Sequence, residues 1–234
     1  MLRRRIAPGM SAAKPSSPTG PRPSSAAGDA ATRLRADIRC EWQSCVSRVR
    51  QYVAIRKHPE VFVVAGDGAN PLTVTALPVW TRAVTLRSRV FVLADRGPWS
   101  RTEVRRVLCH ELFHASIWIY LDHRAVLPWW FNEAAAHWVV MRECGPSAEP
   151  QPFRDVCRGE RHTAAPVTDA AGEPSPLSRA FSEYLLRNYQ PDAMRDMLWQ
   201  VKAGGDFEAA ASAVFDLNGF ASRRWEAPTF LTPR

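Results

Sequence analysis

The sequence predicts an α+β domain in which a small mixed sheet near the N-terminus adjoins a well-capped helix and is followed by a helical C-terminal part. Three observations predict it. The β-rich runs are confined to residues 61–93, helical periodicity stands on both sides of them, and no strand–helix alternation extends along the chain. A length of 234 residues with 46% hydrophobic residues is enough for one sizeable core and excludes a disulfide-stapled miniprotein.

The elements follow in order. Residues 7–30 are dense in Pro, Ser, Ala and Gly, a composition that buries too little apolar surface to offset chain entropy. The chain therefore divides into a disordered basic tail over 1–31 and a single domain over 32–234, and removing residues 2–30 is expected to leave folding unchanged. From about Thr32, Leu34, Ile38, Trp42, Cys45, Val49 and Tyr52 recur at steps of three and four, predicting an amphipathic helix that ends before Pro59. The runs 61–65, 72–76 and 83–93 read as strands, the last broken at Arg87-Ser88-Arg89 as in a hairpin. Ser100 and Glu103 form a capping-box pattern that starts a helix reaching about Leu121. A second helix is expected from Pro128 to Gly145-Pro146. A long loop over 145–176 then leads to helical stretches at 176–189, 191–203 and 206–217.

The formal charge of +8 is unevenly distributed. Residues 1–35 hold seven basic groups against Asp29 alone, so this N-terminal stretch carries +6 and the rest is nearly neutral. These 35 residues could neutralise about six phosphates at most, giving weak, salt-sensitive binding; no specific nucleic-acid recognition is expected. Five cysteines without a CxxC pair fit neither a disulfide framework nor a thiolate zinc knuckle and point to a reducing compartment. The three N-terminal arginines are not followed by an apolar stretch of signal-peptide length, so a cytoplasmic location is expected. No run of eighteen apolar residues predicts a membrane span.

The chemistry concentrates in His110-Glu111-Leu112-Phe113-His114. On an α-helix, His110 and His114 lie about 40° apart and Glu111 about 60° from His114, so all three face one way. Leu108, Leu112, Ala115 and Ile119 fall on the opposite side, leaving one face to bury and one to present two imidazoles a turn apart. That is the arrangement of two nitrogen ligands of one zinc ion, and a catalytic zinc needs a third protein ligand. A hairpin of the two helices brings in Glu133, eighteen residues beyond His114.

With HExxH, eighteen residues and then Glu, the chain resembles the gluzincin metallopeptidases, and most closely their small peptidase MA-like members. Those place the third ligand in a context such as Trp-Leu-Asn-Glu-Gly-Leu-Ala; here it is Trp130-Phe131-Asn132-Glu133-Ala134-Ala135-Ala136. The resemblance spans roughly residues 60–220, with only the zinc motif specific. It implies a zincin-like fold, with Arg89-Val90-Phe91-Val92-Leu93 as the edge strand bordering the substrate cleft. The segments 180–186 and 194–198 would be closing helices. The Gly-x-Met-Glu-Asn segment with which the aminopeptidase branch binds a free α-amine is absent, which favours an endopeptidase. The family's Tyr that stabilises the tetrahedral intermediate has no counterpart at 175–179, where Tyr184 and Tyr189 are the substitutes at hand.

The expected function is hydrolysis of a peptide bond in a peptide or protein substrate. His110, His114 and Glu133 would hold Zn²⁺, and Glu111 would act as general base. His137, one turn after Glu133, either orients a ligand through a hydrogen bond or is a helix residue at the cleft edge. Cys109 points about 100° from His110 and reads as packing, His58, His123 and His162 as surface groups, and Trp118, Trp129, Trp130 and Trp138 as core. The rivals are a zinc-binding scaffold that has lost turnover, and a nucleic-acid-binding protein acting through the tail.

Overall fold

The computed structural model describes residues 25–65, 81–122, 127–145 and 176–217. These form α1 (Ser25–Val49), β1 (Glu60–Val64), β2 (Ala83–Leu86), β3 (Arg89–Leu93), α2 (Arg101–Tyr120), α3 (Trp129–Cys144), α4 (Pro176–Asn188), α5 (Pro191–Lys202) and α6 (Phe207–Val214). The α+β class and the order of helix, sheet and helices are as the sequence predicts. The strand expected at 72–76 falls outside the described residues, as does all but the first and last residue of the loop at 145–176. No helix among the described residues is long and apolar enough to cross a membrane.

α1 begins at Ser25, seven residues ahead of the boundary drawn from composition. Ala31, assigned to the tail, is only 2% exposed and belongs to the core. The apolar spacing in fact continues back through Ala31, Leu34 and Ile38. Alanine is the best helix former, so an Ala-rich stretch read as low complexity serves here as a helix start. The Thr32 hydroxyl donates to the Gly28 carbonyl at 2.9 Å, one turn back.

The three strands order as β1-β3-β2, with β1 parallel and β2 antiparallel to β3. Strand 89–93 is thus the middle strand, not the edge bordering a cleft, and this corrects the sequence-based expectation. The cause is local. Leu86 pairs with Arg89, Arg87 takes φ 59°, and this tight turn lays β2 along β3 as a hairpin while β1 takes the other side. Side chains alternate with the strand period of two. Val61, Val63, Ala83, Val90 and Val92 enter the main core, and Val64, Val84, Leu86, Phe91 and Leu93 pack on the opposite face.

α2 runs through the middle of the molecule. Its capping box forms as the sequence predicts: Glu103 N donates to Ser100 Oγ at 3.2 Å, and Ser100 N donates to Glu103 Oε2 at 2.9 Å. α1 lies along one flank, tied by the buried Glu41 carboxylate, which accepts from Arg105 Nε at 2.6 Å and from Arg101. On another flank α3 folds back antiparallel. Arg106 near the start of α2 donates to the carbonyl of Gly145 past the end of α3, and Tyr52 after α1 donates to Glu143 Oε1 at 2.9 Å. α4 crosses α3 closely, the Ser178 and Ser182 hydroxyls donating to the carbonyls of Trp130 and Ala134 at 3.2 and 2.8 Å. Phe131, Phe181, Phe207 and Phe215 fill the space between α3, α4 and α6.

Two measurements test this frame. Truncation to residue 31 removes the start of α1 and with it Ala31, and should lower the melting temperature relative to truncation to residue 24; equal melting temperatures would return the boundary to 31. Hydrogen bonding by Arg105 outweighs burial and, with Arg101, holds the Glu41 carboxyl below its usual pKa. Its contribution to stability is therefore complete above the unfolded-state value of about 4.3 and disappears as pH falls through the folded value. Glu41→Gln should cost about 1 to 2 kcal/mol at pH 7, discounted for the exposure of both arginines, and the difference should shrink in urea titrations below pH 4.

Candidate metal centre

Helix geometry brings His110 and His114 to one side of α2, and the return of α3 sets Glu133 against them. His110 Nε2 lies 3.4 Å from Glu133 Oε2 and His114 Nε2 lies 3.1 Å from Glu133 Oε1. The two Nε2 atoms are 3.0 Å apart. Ligands about 2.0 to 2.1 Å from a tetrahedral zinc stand roughly 3.3 Å from one another, so the three donors are spaced for one small ion. Among the described residues, these three are the group of potential ligands that converge, within 4.8 Å of one another.

The chemistry of the donors agrees with the spacing. His110 is 0%, His114 6% and Glu133 4% exposed, so the helix face expected to present its imidazoles openly is instead covered by α3 and the sheet. Two imidazole nitrogens at 3.0 Å cannot both carry hydrogens directed at each other, and two lone pairs there repel unless a cation or proton stands between them. His114 Nδ1 has no hydrogen-bond partner among the described residues. Burial alone would push the Glu133 carboxyl up, but His114 and then His110 outweigh it and hold it well below the usual carboxylate range. For His114 burial pulls the pKa down, while the Glu133 charge and hydrogen bond overcome that and raise it. A buried carboxylate facing two imidazoles calls for positive charge at one point.

Glu111 occupies the same side of α2 but stands outside the three-donor group. It is 4% exposed, and its Oε2 accepts from the Thr85 hydroxyl at 2.5 Å. The sequence reading missed Thr85. The available signal was its place in the β2 alternation, where a hydroxyl sits two residues from Ala83 on the face turned to the core. His137 sets its ring edge-on to His110 at 5.1 Å, so it adjoins the centre. Trp129 lies nearly parallel to the His114 ring at 6.4 Å and is half-buried, as is Trp130, whereas Trp138 is in the core.

Chain comparisons with family models, with curated proteins and with solved structures give no match.

The remaining candidates take other places. Cys109 is buried, and the neighbouring Cys144 and Cys45 thiols together with burial push its thiol up. It packs three helices together, as expected. Tyr184 donates to the Asp216 carbonyl at 2.9 Å and Tyr189 accepts from Asp216 N at 2.7 Å, so both phenols are engaged where α4 meets the end of α6. His58 is exposed beside Trp42, while His123 and His162 lie outside the described residues.

Proposed function

We propose that the chain is a zinc-dependent peptide-bond hydrolase of the gluzincin type with a zincin-like fold, acting as an endopeptidase rather than an aminopeptidase. The observation that carries this reading is the convergence of His110, His114 and Glu133 in a buried group with Glu111 beside it but not in it. Two imidazoles and one carboxylate form a donor set of catalytic zinc, leaving a fourth position open. Zinc held there would supply Lewis acidity, acidifying the attacking water and polarising the scissile carbonyl.

The residues of the chain do the rest. Glu111 takes the proton from the attacking water and returns it to the leaving amine, the work of a general base and then a general acid. His137, in ring contact with His110, helps to hold that imidazole in place. The substrate backbone is read against β2, which among the described residues pairs on one side only, whereas strand 89–93 pairs on both; an extended peptide adding to β2 would lie on the strand that touches Glu111. The four described cysteines are free thiols, in keeping with a reducing compartment such as the cytoplasm. The second reading, a zinc-binding scaffold without turnover, is favoured by one observation: Tyr184 and Tyr189, the candidates for stabilising the tetrahedral intermediate, have their hydroxyls committed to Asp216.

Metal analysis of protein purified without chelator should give about one zinc per chain. Glu111→Gln should keep that zinc and lower peptide hydrolysis by roughly 10²-fold to 10⁴-fold, whereas Glu133→Gln should weaken zinc affinity and activity together. A Glu111→Gln protein that loses its zinc, or a Glu133→Gln protein that keeps full affinity, would show the assigned roles to be wrong. Full zinc with no hydrolysis by the parent would select the scaffold.

Endoproteolysis has its own signature. Peptides blocked at both ends should be cleaved, and unblocked amino-acid amides should be poor substrates; the reverse preference would identify an exopeptidase.

A further inference from the structure

We propose that Thr85 is a positioning residue whose hydroxyl, delivered by strand β2, fixes the carboxylate of Glu111 for proton transfer. The inference rests on the hydrolase reading and adds to it a residue that neither the zinc motif nor its spacing contains.

Thr85 Oγ1 lies 2.5 Å from Glu111 Oε2 and 3.1 Å from the Glu111 carbonyl oxygen. A hydroxyl has one hydrogen to give, and the nearer acceptor takes it. Thr85 is 9% and Glu111 4% exposed, so water competes poorly for either partner. A glutamate has three rotatable bonds, and a base that serves one water must have them settled beforehand. Threonine suits that task because its branched Cβ restricts χ1. Thr85 is itself fixed by the sheet, paired in register with Val90 of β3. Strand alternation turns it to the same side as Ala83, towards α2.

The arrangement has a further consequence. Among the described residues β2 pairs with β3 alone, so a peptide adding to its open edge would settle the strand that holds the base. Docking and base alignment would then be mechanically linked.

The test uses the full chain loaded with zinc and compares Thr85→Val, which keeps the branched shape without the donor, with Thr85→Ser, which keeps the donor. With blocked peptides, Thr85→Val should lower kcat by roughly 10-fold to 100-fold with KM and zinc content little changed, and Thr85→Ser should recover most of the loss. A Thr85→Val enzyme as fast as the parent, a Thr85→Ser enzyme as slow as Thr85→Val, or loss of zinc from Thr85→Val would each overturn the proposal. Infrared difference spectra give a readout that needs no turnover. The carboxylate stretch assigned to Glu111 by its loss in Glu111→Gln should shift in Thr85→Val and return in Thr85→Ser. An unmoved band overturns the positioning role whatever the kinetics. A shifted band with no hydrolysis by the parent would overturn the hydrolase reading and leave the Thr85–Glu111 contact standing.

Discussion

Placing two imidazoles and two carboxylates within a turn or so of one another in a protein interior is costly unless each charge meets its complement. α2 bears that cost at its centre, and the architecture is arranged around it. A helix covered by α1, by the sheet and by α3 has no solvent-facing stripe in its middle turns. His110, His114 and Glu111 must therefore find their partners in neighbouring elements. Glu133 comes from α3 and Thr85 from β2. The N-terminal end of α2 is held by Arg101, Arg105 and Arg106, which reach α1 and the end of α3. The polar groups are grouped in the middle and the cations at the start, so α2 docks in one rotational setting.

The small side chains of Ala134, Ala135 and Ala136 complete the arrangement. They are 0% exposed and permit α3 to lie close to α2 on one side and α4 on the other. Close approach puts Glu133 within reach of both imidazoles and brings the Ser178 and Ser182 hydroxyls to the carbonyls of α3. Larger residues along this run would separate the helices and open the donor group.

Much of this was legible in the sequence because it is local. The Ser100–Glu103 box, the 40° between His110 and His114, and the hairpin that returns Glu133 all depend on helix geometry over short separations. The non-local parts were not legible. No periodicity states which of two adjacent strands will lie at the edge, and the order β1-β3-β2 depends on how the parallel strand β1 enters the sheet. Nor does HExxH imply Thr85, which meets Glu111 across 26 positions of chain. The start of α1 was misread for another reason. Alanine is shared between low-complexity tails and good helices, and only the continued spacing through Ala31 separates the two.

The antiparallel pairing of α2 and α3 has a consequence for chain entropy. Only eighteen residues separate His114 from Glu133, and Arg106 and Gly145 already tie the far end of the same hairpin. An ion joining the donors would close a short loop whose ends are already together, and closing such a loop removes little additional freedom. The three side chains are thus preorganised by packing: the hydrophobic contacts of α1, α3 and α4 bear their ordering, and the free energy of capturing an ion there would go into affinity rather than into folding the hairpin.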